Sequence, residues 1–90
     1  MNVEFDPAKA KSNLKKHGVA FDVASACLLD PLALVIEDPD AAGEARCLLI
    51  GMSDAGLLTV CYTLRDKETI RLVSARKATT KEKKYYAQGI

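Results

Sequence analysis

One histidine stands among basic residues in this sequence, where its side chain could take part in proton transfer. His17 lies in the segment KKHGVAFD, behind Lys15 and Lys16 and before Gly18. An imidazole can give and take protons near neutral pH, which suits general acid–base catalysis. A histidine in the last turn of a helix is also stabilised there as a cation by the helix dipole. Catalysis by His17 and structural capping are therefore both open, and Lys16 beside it is a candidate for binding phosphate.

The basic residues are concentrated at the C-terminal end of the chain. The segment RLVSARKATTKEKKYY carries six lysines or arginines against one glutamate, whereas acidic residues gather in EDPDAAGE, residues 37–44. The formal net charge is only +1, so the chain is not basic as a whole. This uneven distribution indicates an anion-binding surface, and nucleic acid is one possible ligand. A plain solvated helix face would give the same pattern.

Length and composition predict one small domain over residues 1–90, because 49% hydrophobic residues in 90 fill a single core. No apolar run reaches the roughly 18 residues that a membrane span needs, and the start MNVEFDPAKA lacks the pattern of a secretory signal. We therefore expect a cytoplasmic protein without membrane contact. The three cysteines, Cys27, Cys47 and Cys61, are widely spaced with no histidine at ligand spacing, which predicts free thiols. Neither a metal site nor a cofactor is expected.

Three helices are indicated by capping signals. Asp6 followed by Pro7 begins the first, which ends at His17 before Gly18. Asp22 is the expected N-cap of a second, more apolar helix that runs to about Leu29. Thr79 or Thr80 is expected to cap a final helix, KEKKYYAQ, whose tyrosines would dock it on the edge of a sheet.

Strand-like runs fill the rest of the chain. VEF near the start is a short strand candidate, and LALVIE, ARCLLIGMS, LLTVCYTLR and TIRLVSAR are separated by short turns. Such turns predict an antiparallel sheet of about four strands in an α+β fold, with the two N-terminal helices on one face. One alternating set is apolar and should lie under the helices: Leu48, Ile50, Met52, Leu58, Val60, Tyr62, Leu64, Ile70 and Leu72. The opposite set is half polar: Thr59, Cys61, Thr63, Arg65, Arg71, Val73 and Lys77.

Arginines are the side chains best suited to bind a phosphate group, because a guanidinium forms two parallel hydrogen bonds and stays charged. Arg76 and Arg46 fall in the otherwise apolar set, where a charge needs a reason; a structural salt bridge to Glu82 or Glu44 competes with a role in a site. Arg71 and Arg65 fall on the half-polar face, where phosphate contact and plain solvation are equally open.

Several segments together resemble one known family. The runs FDPAKAKSNLKKHGVAF, DPLAL, GEARCLLIG and IRLVSARKATTKEKKYY cover nearly the whole chain. They are similar to the BrnT family of bacterial type II toxins, which are ribonucleases with a RelE-like fold. The most distinctive pieces are NLKKHGVAF and RLVSARKA followed by Glu82 and Tyr86.

The resemblance implies an endoribonuclease that arrests growth and is neutralised by a BrnA-type ribbon-helix-helix antitoxin, with promoter DNA contacted only through that antitoxin. Metal-free cleavage by the 2′-hydroxyl needs a base, cations at the phosphate and an acid at the leaving oxygen. The expected catalytic residues are Arg46, Arg71, Arg76, His17 and Tyr86, and the expected RNA-binding residues are Lys16, Thr63, Arg65 and Lys77. The alternative is a catalytically inactive partner-binding module that acts in a transcriptional autorepression complex.

Overall fold

The computed structural model describes residues 2–37 and 46–89. The predicted turn DPDAAGE lies outside these residues, and so does its Glu44, one of the two salt-bridge partners considered for the arginines. In chain order the elements are β1 (Asn2–Glu4), α1 (Pro7–His17), α2 (Phe21–Cys27), β2 (Leu34–Glu37), β3 (Cys47–Ser53), β4 (Gly56–Leu64), β5 (Thr69–Lys77) and α3 (Thr80–Gln88). This confirms the α+β class.

The sheet has five strands in the order β1-β5-β4-β3-β2. Strands β2 to β5 pair antiparallel to their neighbours, as short turns predict. The fifth strand is the VEF segment, which pairs parallel to β5 through Val3 and Ile70. The prediction of a purely antiparallel sheet of about four strands is therefore corrected to a mixed sheet of five. Local patterns give no sign of this pairing, because β1 and β5 are the first and last strands of the chain.

Helix α1 has the predicted bounds and is held at both ends by the expected caps. The Asp6 carboxylate accepts a hydrogen bond from the Ala8 amide at 2.9 Å, and Gly18 ends the helix with a φ of 70°. Its buried Asn13 acts like an extra strand residue beside β5. The side chain donates to the Ala75 carbonyl at 2.9 Å and accepts from the Ala75 amide at 3.0 Å, and it also donates to Val19. Asn13 thus covers the edge of β5 beyond the end of β1.

Helix α2 differs from the prediction at both ends. It begins at Phe21 after Ala20, so Asp22 lies in the first turn and is not the N-cap; the helix ends at Cys27 and not near Leu29. The start is set by packing: Phe21 is 2% exposed and meets Phe5 edge-to-face at 5.2 Å between ring centroids. Burial of this aromatic ring outweighs the capping preference of Asp22.

The face of β3 that packs under helices α1 and α2 is the opposite of the predicted one. Leu49 joins Leu58 and Val60 in this core, and Leu49 pairs directly with Val60. The set Leu48, Ile50 and Met52 therefore faces the opposite side of the sheet. Both sets of β3 are apolar, so alternation could not choose between them. Gly51 marks the true inner face, since an added Cβ would lie 2.8 Å from the Cys27 carbonyl oxygen.

A β-bulge in β5 changes which side chains share a face. Cys61 pairs with Ser74 and Tyr62 with Leu72, so Val73 is an extra residue in β5. Because of this extra residue, Arg71 and Arg76 both lie on the face opposite to α1 and α2. Lys77, which pairs with Leu58, lies on the inner face instead of the half-polar set where alternation had placed it.

Helix α3 lies across that opposite face and begins at Thr79, one of the two predicted caps. Thr79 and Glu82 form a capping box, in which each side chain accepts from the other residue's backbone amide. Beneath the helix, Ile50 is only 1% exposed. In residues 2–37 and 46–89, no helix is long and apolar enough to cross a membrane.

Candidate active site

Charged and hydroxyl side chains form a line across four strands, on the face that carries α3. Glu4 pairs with Arg71, and Arg71 pairs with Thr63, so the three side chains share one face of β1, β5 and β4. Arg46 directly precedes Cys47, which pairs with Tyr62, and this register continued by one position sets Arg46 beside Thr63. We call Glu4, Arg71, Thr63 and Arg46 the arginine row.

The hydroxyl of Thr63 lies in the middle of the arginine row. Thr63 is 4% exposed, and its Oγ1 atom has no hydrogen-bond partner in the described part of the chain. A buried hydroxyl without a partner costs free energy that a hydrogen-bonded ligand would recover. Such a hydroxyl between two arginine positions is suited to a ligand with several oxygen atoms, such as a phosphate group.

Glu4 ties the end of the arginine row together electrostatically. Its Oε1 atom lies 3.7 Å from Nη1 of Arg71 and 3.4 Å from Nε of Arg65. Arg65 directly follows β4, two residues beyond Thr63, and the alternation of the strand places it on the same face. These side chains are partly exposed, 42% for Glu4, 32% for Arg71 and 56% for Arg65, but the Oε1 atom of Glu4 that faces both arginines is itself buried.

Arg76 has a separate environment, where its guanidinium is already engaged. Nη1 and Nη2 donate to the two carboxylate oxygens of Glu82 at 2.7 and 3.0 Å. The Arg76 guanidinium is the main reason that the pKa of Glu82 falls to about 2, and the Thr79 amide and Thr59 hydroxyl add to the effect. Arg76 and Glu82 thus join β5 to α3, as the salt-bridge interpretation expects.

Tyr86 and Lys77 also make contacts within the protein. The Tyr86 hydroxyl donates to Oδ2 of Asp30 at 2.6 Å, which lowers the pKa of Asp30 and raises that of Tyr86. Asp30 also accepts from the Met52 amide at 2.8 Å, so Tyr86 fastens the end of α3 to the turn before β2. Lys77 donates through Nζ to the Ala55 carbonyl at 2.7 Å, next to the β3–β4 turn.

Lys16 and His17 line a groove at a different place, between α1 and the bulged part of β5. The groove has a volume of about 250 Å³, and its other lining residues are Lys9, Ser12, Asn13, Val73 and Ser74. His17 is half-buried and Lys16 is exposed. The groove carries basic side chains, but it lies beside α1 and not beside α3.

The nine predicted site residues thus fall into several groups. Arg46, Thr63, Arg65 and Arg71 come together on one face, and Lys16 and His17 share the α1 groove. Arg76, Lys77 and Tyr86 each hold a neighbouring part of the protein. No group of His, Cys, Asp and Glu in the described ranges could hold a metal ion. In the part of the chain that the structure describes, Cys27, Cys47 and Cys61 form no disulfide with one another.

Two residues with clear roles in the structure were absent from the predicted site. Glu4 was not considered, because its place beside Arg71 depends on the parallel pairing of β1 with β5. Asp30 follows the predicted second helix and was not placed in the site, although its carboxylate accepts from Tyr86 of the last helix. Neither contact leaves a local signal in the sequence, since 67 and 56 positions separate the partners.

Comparison with known proteins agrees with the fold and identifies the family. The solved structure of the Brucella abortus ribonuclease toxin BrnT is similar to this chain, with a TM-score of 0.66 and 24% sequence identity. The match covers 89% of this chain and 99% of that one, and it supports the fold. The comparison with curated proteins gives no significant match. The family model described as the ribonuclease toxin BrnT of type II toxin-antitoxin systems matches residues 5–82. This chain therefore belongs to the BrnT family of ribonuclease toxins.

Proposed function

We propose that the protein cleaves RNA without a metal ion and holds the scissile phosphate on the arginine row. The observation that carries the proposal is the buried, unpartnered hydroxyl of Thr63 between the Arg71 and Arg46 positions. Arg71 and Arg46 supply positive charge on either side of it. Long arginine side chains can shift toward a bound phosphate, and this movement would open the hydroxyl to a phosphate oxygen.

The reaction that suits these residues is attack by the RNA 2′-hydroxyl on the adjacent phosphate. The 2′-oxygen forms a bond to phosphorus, the bond from phosphorus to the 5′-oxygen breaks, and the products are a 2′,3′-cyclic phosphate and a free 5′-hydroxyl. Negative charge builds up on the phosphate oxygens in the transition state. Guanidinium groups fixed beside those oxygens stabilise this charge, and one such donor is typically worth about 3–4 kcal/mol.

Arg71 is a better candidate than Arg76 for binding the phosphate. Both terminal nitrogens of Arg76 donate to Glu82, at 2.7 and 3.0 Å, and these hydrogen bonds would have to break before Arg76 could bind a phosphate. The contact of Arg71 with Glu4 is longer, at 3.7 Å, and lies at a partly exposed site. We therefore assign Arg71 and Arg46 to the phosphate and Arg76 to positioning α3 in this conformation.

The remaining predicted residues are proposed to guide RNA across the surface. Arg65 extends the positive charge of the arginine row, and Lys77 lies at the other end of the neighbouring strand. Lys16 and His17 offer a second cationic groove, in which a neighbouring phosphate of the RNA chain could bind. Proton transfer by Tyr86 would require it to leave Asp30, because its hydroxyl donates there at 2.6 Å.

Membership of the family implies an antitoxin partner. We propose that this partner is a BrnA-type ribbon-helix-helix protein that covers the arginine row in the cytoplasm and does not unfold the toxin. Promoter DNA would then be bound by the antitoxin, with the toxin contacting it only through the complex. A cationic surface used for RNA is readily blocked by an acidic segment of a partner.

Incubation of the purified protein with RNA, with and without chelator, tests the proposal. We expect cleavage that chelator leaves unchanged and that Arg71→Ala reduces about 100- to 1,000-fold. Lys84→Ala is the matched control, since it removes one exposed cation from α3 and leaves the arginine row intact. Loss of cleavage in chelator would refute the metal-free mechanism. Intact RNA at high protein concentration would favour the inactive partner-binding module.

A further inference from the structure

We propose that Glu4 is the base that takes the proton from the attacking 2′-hydroxyl. This assignment rests on the proposed function and adds the group that the arginine row itself does not supply. Arginines stay protonated at any physiological pH, and a threonine hydroxyl is too weak a base. Glu4 is the carboxylate of the row, next to Arg71 in the β1–β5 register.

The position of Glu4 fits a reacting group beside a bound phosphate. Adjacent strands lie about 4.8 Å apart, so a phosphate seated over Arg71 and Thr63 has Glu4 on its open side within reach of a ribose. The Glu4 side chain is 42% exposed, which leaves room for substrate. Its Oε1 atom accepts no hydrogen bond in the described structure, although Arg65 and Arg71 lie at ion-pair distances.

The charges around Glu4 explain how a carboxylate can stand next to RNA. A lone carboxylate would repel the phosphate, but Arg65 and Arg71 flank this one at 3.4 and 3.7 Å. Their two positive charges outweigh its single negative charge, so the row remains attractive to an anion. When Arg71 turns toward the phosphate, Glu4 loses one of its two cationic neighbours, and its carboxylate is left open to a hydrogen bond from the ribose hydroxyl.

Two other carboxylates on this side of the sheet, Glu82 and Asp30, are less suited to the role. Glu82 accepts from Arg76, Thr59 and the Thr79 amide, and these bonds hold its pKa at about 2, so it is a very weak base. Asp30 accepts from Tyr86 and from the Met52 amide. Both carboxylates hold α3 in place, whereas Glu4 has only exchangeable ion pairs.

The proton balance of the step is complete with solvent. The 2′-oxygen to hydrogen bond breaks and the proton moves to the Glu4 carboxylate as the 2′-oxygen binds phosphorus. The departing 5′-oxygen takes a proton from a water molecule, and Glu4 later returns its proton to the hydroxide that remains.

The variant Glu4→Gln tests the assignment, because it keeps the shape of the side chain and removes its basicity. We expect cleavage to fall about 100- to 10,000-fold. Binding of an RNA whose 2′-hydroxyl groups are replaced by 2′-O-methyl groups should stay within about threefold or become tighter. Glu68→Gln is the matched control, since it removes an exposed carboxylate from the nearby β4–β5 hairpin. Its cleavage rate should equal that of the unchanged protein.

The pH dependence of the unchanged protein gives a readout that does not depend on the variant. A carboxylate base keeps the rate constant from about pH 8 down to about pH 5, whereas an imidazole base loses rate from about pH 6.5. Normal cleavage by Glu4→Gln, or an imidazole-type profile, would overturn the assignment while leaving the proposed function intact. If Glu4→Gln loses binding of the 2′-O-methyl RNA and thermal stability together with cleavage, Glu4 is a structural residue and not the base. Absence of cleavage by the unchanged protein would remove the proposed function itself.

Discussion

Replacing Arg76 by alanine separates its structural contact from any part it plays in catalysis. The Arg76 guanidinium holds both oxygens of Glu82, and Glu82 also accepts from Thr59 on β4 and from the Thr79 amide. These bonds join the sheet to the start of α3. In Arg76→Ala, Glu82 would keep its charge with only the two weaker donors, in a place where its side chain is 13% exposed. We expect the variant to be less stable at neutral pH.

The pKa of Glu82 sets the size of this loss. It falls from 4.5 to about 2, and each unit of such a difference corresponds to about 1.4 kcal/mol, so the net effect of the surroundings, after the opposing effect of burial, is about 3–4 kcal/mol. The Arg76 side chain is 38% exposed, so water screens part of its share. We expect Arg76→Ala to lower the free energy of unfolding by about 1.5–2 kcal/mol. For a protein of this size the melting temperature then falls by about 10 °C.

Thermal unfolding at several pH values is the assay. Because Glu82 has a lower pKa in the folded state, its contribution is complete above about pH 4.5 and is lost as the pH falls toward 2. The difference between Arg76→Ala and the unchanged protein should therefore be full at pH 7 and shrink below pH 4.5. Arg65→Ala is the control, since it removes an exposed ion pair with Glu4 and should cost at most about 1 kcal/mol.

A stability difference that is the same at pH 7 and pH 3 would refute this reasoning, because it would show that Arg76 stabilises by packing and not through the Glu82 carboxylate. Cleavage by the variant, measured at a temperature where it is folded, is a separate readout. If Arg76→Ala cleaves RNA at least about 100-fold more slowly than the unchanged protein, Arg76 also acts on the transition state.

Two further predictions concern the edge of β5 and the antitoxin. Asn13→Leu should lower the free energy of unfolding by about 2–4 kcal/mol, because three buried side-chain hydrogen bonds are lost and the Ala75 amide and carbonyl are left without that partner. Denaturant unfolding measures this loss, with the exposed Ser12→Ala as the control. An unchanged unfolding midpoint in Asn13→Leu would contradict the prediction. The affinity of the antitoxin should fall steeply across a salt series if it covers the arginine row, and a flat response would place an apolar interface elsewhere.

The elements with complete local signals were predictable from the sequence. Asp6, Pro7 and Gly18 gave the bounds of α1, and Thr79 was one of the two expected caps of α3. The predicted start of α2 was wrong because a contact with Phe5 fixes Phe21, and capping preferences take no account of such a contact. The prediction of which face of β3 is inner was wrong because both faces are apolar, and α3 covers the face that was expected to lie under α1 and α2.

The site was predictable in residue type but only partly in arrangement. Arginines and Thr63 were proposed from charge and alternation, and four of the nine residues do share one face. The engagement of Arg76 by Glu82 was foreseen as an alternative, whereas the role of Glu4 was not. Its neighbours are set by the pairing of strands from opposite ends of the chain, and such long-range contacts leave no periodic pattern.

The extra residue at Val73 makes the two halves of β5 differ in phase by one position. Counting odd and even residues from Ile70 gives the right orientation up to Leu72 and the reverse one from Ser74 onward. Removing Val73 would join Leu72 directly to Ser74, as Tyr62 is joined to Cys61 on β4, so the pairs on both sides of the bulge could form in one regular ladder. A single-codon deletion here should therefore keep Arg71 in the arginine row and Arg76 beside Thr59, and remove only the extra bend and twist that the bulge gives β5.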